Sequence, residues 1–545
     1  YLYCKYFTLV AHCNRIAHLR DAPSNFRRRT LLCCHVWRGI SQLQSPHAAL
    51  FLILLIFEAL TSQYQNNMST EKQVNVFPSE CTTLIVGRKM TADGSMIVAR
   101  SEDWNAMYAK NLEMYVDTDN GPESFIARDS PFRCDLPKKA LGYTAMPTFD
   151  QPGHWGSAGF NTAGVGMSAT ESIFSSEKAL AADPLVESGV AENSVFNIVL
   201  PYVHTAREGV ERLGKLIEQF GVAEGFGIGF VDSHEIWYLE TASGHRWLAC
   251  KMPEDQYFVT GNQSRFRKYD PKDKENYMAS ADLIEFATKH QLYNPTDGEF
   301  DFHTAYIRDV KLDTTYNYPR VWGLQGMLSP DIKNDVTKNT FPVFAKAKHP
   351  ITLDDMRRVF RFHYNGTEHD PYLHFNPKEP YRPVSIFRTT QTHILHVRPE
   401  LPQAIGRVDY YAMGMAALGA FVPLYQGITS YPKAYMLGTD HSSVESAYWK
   451  MRKVMTLGMV NFNAYAPLIQ STYAKFEAET AQRQKEMETQ YLACYKSLPL
   501  HAQDLLQAFS DRVLLQALDV ADALQEDLFT RLTSDIQAEY KFAGA

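Results

Sequence analysis

The sequence of 545 residues predicts an α+β protein with a large buried core. Short β-branched and apolar runs alternate with turn residues between positions 81 and 260, and one stretch of helical periodicity lies among them. The C-terminal third is predicted to be helical. Apolar residues make up 45% of the chain and aromatic residues 12%, which excludes a disordered, collagen-like or coiled-coil protein.

The charge distribution argues against a nucleic-acid partner. The chain carries 54 basic and 61 acidic residues, and Lys and Arg form no long run after residue 80. Basic residues outnumber acidic ones only in residues 1–80. That segment therefore differs in character from the rest of the chain.

Residues 1–80 are interpreted as a leader or propeptide. The apolar run at 48–57 is too short for a stable membrane span, which needs about 20 residues, but segment 48–60 resembles the core of a signal peptide. The first methionine is Met68, and a start there would leave a polar leader. We expect a cytoplasmic protein on this basis, with export as the alternative if segment 48–60 is a genuine signal.

The body begins with a predicted β-hairpin. Residues 81–87 and 95–100 have strand composition, and Asp93 and Gly94 supply turn chemistry between them. A further strand is predicted at 164–170, and a helix at 193–220 that ends at Gly221. Four short strands are predicted at 225–231, 235–240, 246–250 and 256–259.

The C-terminal part is predicted to be helical from about residue 440. Ser442 and Glu445 match a capping box that would open a helix through Trp449 and Met455. A second apolar stripe runs from Leu506 to Leu528 with charges opposite.

No metal or cofactor is predicted. Gly225, Gly227 and Gly229 resemble a dinucleotide loop, but no helix follows them. The cysteines after residue 80 form no C-x-x-C pair. The clustered histidines do not have the spacing of a ligand set; they are His363, His369, His374, His393 and His396.

The segment from Cys81 to Asp103 resembles the opening of the N-terminal-nucleophile cysteine hydrolases of the dipeptidase A family, relatives of penicillin V acylase and bile salt hydrolase. The resemblance continues in order over residues 81–545. Its further segments are 205–209, 235–241, 244–247, 261–263, 316–322, 366–372 and 446–449.

The resemblance implies a four-layer αββα sandwich, the N-terminal-nucleophile hydrolase fold, followed by a helical C-terminal extension. It also implies removal of everything before Cys81. The freed α-amine of Cys81 has an ordinary pKa of about 8, so it is partly neutral near pH 7.5 and can serve as the base for its own thiol. While Glu80 is attached, that nitrogen is an amide and the chain is a zymogen.

The resemblance also assigns candidate catalytic residues. Arg100 would stabilise the Cys81 thiolate and Asp103 would orient the α-amine, unless the two form an exposed hairpin ion pair. Because these residues are three apart, a bend or strand end near 101–103 is needed for both to serve one site.

The remaining candidates are Asn262 and Arg320. Asn262 matches an oxyanion donor, with a structural turn as the alternative. Arg320 matches a late family arginine or bridges core carboxylates. The position of the second oxyanion donor falls on Glu171, which is a poor donor when ionised, so Thr170 or a backbone N–H is the substitute.

The expected activity is hydrolysis of dipeptides through a thioester, without a cofactor. One alternative is an amidase that acts on an acylated small molecule, and another is a non-enzymatic, secernin-like protein. A homo-oligomer is compatible with the sequence.

Overall fold

The computed structural model of the chain describes residues 80–373 and 381–539. The signal-like segment 48–60 and His374 lie outside the described residues, so the leader and its boundary stay predictions. Within the described ranges, no helix has the length and apolar character needed to cross a bilayer.

Seventeen β-strands lie in the described residues. Their bounds are β1 Glu80–Val86, β2 Met96–Asp103, β3 Glu113–Tyr115, β4 Ser124–Ile126, β5 Arg133–Asp135, β6 Tyr143–Ala145, β7 Ala158–Phe160, β8 Gly166–Ser172, β9 Phe226–Val231, β10 Ile236–Thr241, β11 Trp247–Lys251, β12 Tyr257–Thr260, β13 Tyr277–Ala279, β14 Phe344–Ala345, β15 Thr389–Val397, β16 Arg407–Met413 and β17 Val422–Tyr425.

The same residues form twelve α-helices. Their bounds are α1 Glu177–Ala182, α2 Glu192–Val199, α3 Ala206–Phe220, α4 Leu283–Lys289, α5 Phe302–Tyr306, α6 Asp313–Tyr316, α7 Tyr318–Leu328, α8 Leu353–Phe360, α9 Gln403–Gly406, α10 Ala447–Val460, α11 Phe462–Cys494 and α12 Pro499–Glu539.

Two antiparallel sheets organise the molecule. The larger sheet has the order β14-β12-β1-β2-β15-β16-β17, and the smaller has the order β13-β11-β10-β9-β8-β7. The predicted hairpin is confirmed as β1 and β2 at the centre of the larger sheet, where Thr83 lies opposite Arg100. The strands predicted between 164 and 260 are confirmed to within two residues at each end.

The two sheets pack face to face. Ile85 and Val98 of the larger sheet share an apolar cluster with Val231 and Tyr238 of the smaller one. A Cβ atom on Gly229 would lie 2.7 Å from Val98 Cγ1, closer than real Cβ atoms come to a neighbour, so the absence of a side chain permits this approach.

The outer face of each sheet is covered by helices. Leu84 and Ala99 of the larger sheet pack in one cluster with residues of α7, α8 and α10 to α12. On the smaller sheet, Ile228 and Trp237 share a cluster with residues of α2 and α3. The α+β class is therefore confirmed, and so is the helical region that was predicted from about residue 440. The prediction that the whole C-terminal third is helical is wrong, because its first part contributes β15, β16 and β17 to the larger sheet.

Two predicted helix boundaries are wrong. The helix expected at 193–220 is split into α2 and α3, because Pro201 lacks a backbone N–H and Thr205 starts a new helix by accepting a hydrogen bond from the Glu208 N–H at 3.1 Å. The helix expected from Ser442 begins at Ala447, since the extended Ser446 is its N-cap and accepts from the Trp449 N–H.

The packing of α3 on the smaller sheet predicts opposite effects for two glycine substitutions. A Cβ on Gly214 of α3 would overlap the ring of Trp247, whereas Gly326 of α7 has open space around its Cβ position. We expect Gly214→Ala to lose about 1–3 kcal/mol of unfolding free energy through overpacking, and Gly326→Ala to gain up to about 1 kcal/mol from helix propensity. Thermal melts followed by circular dichroism measure both, and equal melting temperatures would contradict the packing described.

Candidate active site

Cys81 lies near the start of β1, an inner strand of the larger sheet, and is wholly buried. Side chains alternate along a strand, so Cys81 and Thr83 share the face of Ile85, which looks toward the smaller sheet. The thiol is therefore placed between the two sheets, at the end of a strand.

Arg100 joins the thiol to the second sheet. Its Nη1 donates to Cys81 Sγ at 2.9 Å and to the carbonyl oxygen of Thr170 at 2.5 Å, while Nη2 donates to the carbonyl oxygen of Ala169 at 2.6 Å. Ala169 and Thr170 belong to β8. The guanidinium is thus held in place from both sheets.

Arg100 also contacts a buried ion pair formed by Glu102 and Lys110. Glu102 Oε2 is 3.5 Å from Arg100 Nη2, and Glu102 Oε1 accepts from Lys110 Nζ at 2.8 Å. Gln391 also donates to Glu102, at 3.1 Å. Lys110 and Gln391 therefore hold the Glu102 carboxylate in place next to the guanidinium of Arg100.

Asp103 is the last residue of β2 and is wholly buried. It lies opposite Glu80, the residue before Cys81, and accepts hydrogen bonds from Arg382 Nη2 and Thr389 Oγ1 at 2.5 Å each. The strand end required by the spacing of Arg100 and Asp103 is confirmed. The exposed hairpin ion pair is wrong, because both side chains are buried and bind other partners.

Arg320 of α7 holds the backbone of Cys81. Its Nη1 donates to the carbonyl oxygen of Cys81 and, at 3.0 Å, to Thr82 Oγ1. Its Nη2 donates to Asn262 Oδ1 at 2.8 Å and to Asn317 Oδ1 at 2.6 Å. These contacts go to carbonyl, hydroxyl and amide oxygens, so they do not support the alternative of a bridge between core carboxylates.

Asn262 lies in the loop after β12 and is buried. Its Oδ1 accepts from Arg320, and its Nδ2 donates to Glu171 Oε1 at 3.0 Å. Its backbone N–H donates to Asn317 Oδ1 at 2.9 Å. The amide is oriented at both ends, which is more than a structural turn requires.

The other four predicted residues are thus gathered around Cys81. The sequence profile of Peptidase family C69 matches residues 80–475. The chain belongs to this family. The match ends within α11, so the last helix lies beyond it. The resemblance stated from the sequence is confirmed at the level of the family.

Curated relatives agree with this assignment. A "Probable dipeptidase" of Salmonella dublin is 49% identical over 389 residues, covering 69% of this chain and 90% of the relative. A "Probable dipeptidase A" of Streptococcus pyogenes serotype M3 (strain SSI-1) is 36% identical over 70% of this chain and 84% of its own length. "Dipeptidase A" of Lactobacillus helveticus is 31% identical over 75% and 88%, respectively.

Several side chains of this C69 site were not assigned from the sequence. Asn317 precedes Arg320 by three residues on the chain and supports both Arg320 and Asn262, a spacing that could have suggested it. Arg382 and Thr389 have no local signal that links them to Asp103. Glu171 lies at the position that the resemblance gives to the second oxyanion donor, but no local signal links it to its partners: it accepts from Thr83 Oγ1 at 2.7 Å and from Asn262.

Burial dominates the electrostatics of the thiol. It raises the pKa of Cys81 far above the ordinary value, Arg100 opposes that rise, and Glu171 adds to it. Burial likewise raises the pKa of Glu171 to about 7. With Glu80 attached, the thiol is therefore protonated near neutral pH.

The ion pair of Glu102 and Lys110 behaves differently. Burial alone would raise the pKa of Glu102, but Lys110 and Arg100 outweigh it and hold the pKa at about 2. Burial, with Arg382 second, lowers the pKa of Arg320 to about 9. Glu102 is therefore ionised near neutrality, and Arg320 stays largely protonated there.

Three of the clustered histidines make contacts with other side chains of the protein. His363 is paired with Asp370 at 3.0 Å, His396 with Asp93 at 3.0 Å, and His393 is hydrogen-bonded to Ser168 at 2.8 Å. Over 80–373 and 381–539, no three His, Cys, Asp or Glu side chains are grouped so that they could hold a metal ion.

The burial of Cys81 predicts low reactivity toward alkylating agents while Glu80 is attached. With uncleaved protein at pH 7.5, we expect iodoacetamide to label Cys494, which is partly exposed, and to leave Cys81 unlabelled until the chain is denatured. Peptide mass spectrometry measures the two sites in one sample. Labelling of Cys81 as fast as Cys494 would contradict the burial.

Proposed function

We propose that the protein is an autoprocessed cysteine dipeptidase that hydrolyses dipeptides through a thioester acyl-enzyme. The proposal rests on the hydrogen bond that Arg100 donates to the Cys81 thiol near a strand end. Arg320 donates a second hydrogen bond, to the carbonyl oxygen of the same residue. We also propose that the two sheets and their helical coverings are the four-layer αββα sandwich of N-terminal-nucleophile hydrolases.

The first step is cleavage of the peptide bond between Glu80 and Cys81. Cys81 Sγ attacks the carbonyl carbon of Glu80, the C–N bond breaks, and the acyl group moves to sulfur as the nitrogen takes up a proton. Water then hydrolyses this thioester and leaves a new carboxylate on Glu80. Cys81 thereby gains an α-amine that can act as a base.

The catalytic cycle uses both ends of Cys81. The α-amine takes the thiol proton, and the sulfur attacks the carbonyl carbon of the dipeptide. The α-amine of Cys81 is now an ammonium group. It protonates the departing amine as the C–N bond of the dipeptide breaks, and the second amino acid leaves. Water, deprotonated by the same amine, hydrolyses the thioester and releases the first amino acid.

Four neighbouring side chains support these steps. Arg100 lowers the free energy of the thiolate by its permanent positive charge. Asn262 Nδ2 donates to the oxyanion that forms on the attacked carbonyl. Arg320 fixes the backbone of the nucleophile. Asp103, which lies opposite Glu80 before cleavage, orients the new α-amine.

The choice of dipeptides as substrate rests on the names of the relatives. The three relatives named above are each called a dipeptidase, and the chain covers 84% to 90% of their lengths. An amidase that acts on an acylated small molecule uses the same chemistry. A non-enzymatic protein of the same fold would keep the framework without turnover.

Replacement of the nucleophile tests processing and turnover together. In Cys81→Ala we expect a folded, unprocessed protein whose kcat/KM for dipeptides falls by roughly 10³-fold or more, because no thiol remains for either step. The measurements are intact mass, N-terminal sequencing, circular dichroism and release of free amino acids.

Cys250→Ala is the matched control, because Cys250 is equally buried on β11 and has no contact with Arg100 among the hydrogen bonds of the described residues. It should be processed and active. Wild-type protein that cleaves dipeptides with Glu80 still attached would refute the mechanism. Wild-type protein that is processed but cleaves only acylated small molecules would support the amidase, and protein with neither activity would support the non-enzymatic alternative.

A further inference from the structure

Glu171 is fixed beside the nucleophile by two neutral donors. It follows Ala169 and Thr170 on β8, whose carbonyl oxygens accept from the guanidinium of Arg100. Thr83 Oγ1 donates to its Oε2, and Asn262 Nδ2 donates to its Oε1. The carboxylate therefore borders both the strand of the nucleophile and the proposed oxyanion donor.

A carboxylate in this place works against the chemistry of the bare enzyme. When ionised it offers only acceptor atoms, so it repels a thiolate and an oxyanion instead of stabilising them. It also raises the pKa of Cys81. A cation that arrives with the substrate would remove this conflict, because it would pair with Glu171 before negative charge develops on the oxyanion.

A dipeptide brings such a cation to the correct distance. Its α-ammonium nitrogen is joined to the oxygen of the scissile carbonyl through only three bonds, which places the two atoms about 3 Å apart. Asn262 Nδ2 and Glu171 Oε1 are separated by 3.0 Å. A substrate whose carbonyl oxygen approaches Asn262 thus has its ammonium group within reach of Glu171.

The carboxylate also has capacity for this contact. Two oxygens offer about four acceptor positions, and Thr83 and Asn262 each use one. Both donors act on different oxygens, so the carboxylate is held in one orientation. A charge-assisted hydrogen bond from an ammonium group fits the remaining positions.

We propose that Glu171 binds the α-ammonium group of the substrate and so selects peptides with a free N-terminus. This inference rests on the proposed dipeptidase function and deepens it. Glu171 would then be a specificity-determining residue that replaces the second oxyanion donor expected from the sequence.

The test compares two substrates on each variant: a dipeptide that the wild-type protein cleaves, and its des-amino analogue, in which hydrogen replaces the α-ammonium group. The quantity measured is kcat/KM for the dipeptide divided by kcat/KM for the des-amino analogue. This ratio is independent of the fraction of processed enzyme. We expect Glu171→Gln to lower this ratio by about 10- to 100-fold, mainly through a higher KM for the dipeptide. Glu171→Asp keeps the charge on a shorter side chain, so its ratio should lie between those of the wild-type protein and Glu171→Gln.

Asp409→Asn is the matched control. Asp409 is a buried carboxylate on β16 that accepts from the Ile394 N–H at 3.3 Å, and its substitution should leave the ratio unchanged. A wild-type ratio in Glu171→Gln, or the absence of any preference for the free amine in the wild-type protein, would overturn the inference. If Glu171→Gln is not processed, the ratio in Glu171→Asp decides: a fall supports the anchor and a wild-type value overturns it. Failure of wild-type protein to cleave any dipeptide would count instead against the proposed function.

Discussion

The contact between the guanidinium of Arg100 and the thiol of Cys81 is the interaction on which the site depends. A buried cation costs several kcal/mol in lost hydration unless acceptors replace the water. Here the carbonyl oxygens of Ala169 and Thr170 and the carboxylate of Glu102 take that role. Because arginine stays protonated in proteins, the positive charge at the sulfur is permanent.

This arrangement depends on strand register. Arg100 lies opposite Thr83, and Glu102 lies opposite Cys81, in the pairing of β1 with β2. A slip of one residue would move Arg100 to the outer face of the sheet, because side chains alternate. The Asp93–Gly94 turn and the apolar residues buried on both faces of the hairpin fix the register, so the geometry of the site is encoded in the elements that form the centre of the sheet.

The sequence predicted this hairpin because its signals are local. The turn residues, the β-branched runs and Cys81 itself lie within about 20 consecutive residues. The partners of Asp103 could not be found in the same way, since Arg382 is 279 positions away and Thr389 is 286. The resemblance places Glu171 at the position of the second oxyanion donor, but its hydrogen bonds to Thr83 and Asn262 depend on how the sheets pack. Pro201 and Ser446 are local signals as well, and they mark the two helix boundaries at which the apolar periodicity alone is misleading.

The alternation of side chains also gives a physical reason for the position of the proposed nucleophile near a strand end. Arg100 extends from the face of the larger sheet that looks toward the smaller sheet. Asp103 and Thr82 lie on the opposite face, which the helices cover, and Arg320 contacts Thr82 there. Within a continuous strand, the backbone nitrogen of Cys81 is part of an amide and cannot act as a base. Cleavage before Cys81 would leave its sulfur with Arg100 on one face, its carbonyl oxygen with Arg320 on the other, and its nitrogen next to the position that Glu80 occupied opposite Asp103. In the proposed mechanism, groups from both faces of the sheet therefore act on the residue at the new terminus.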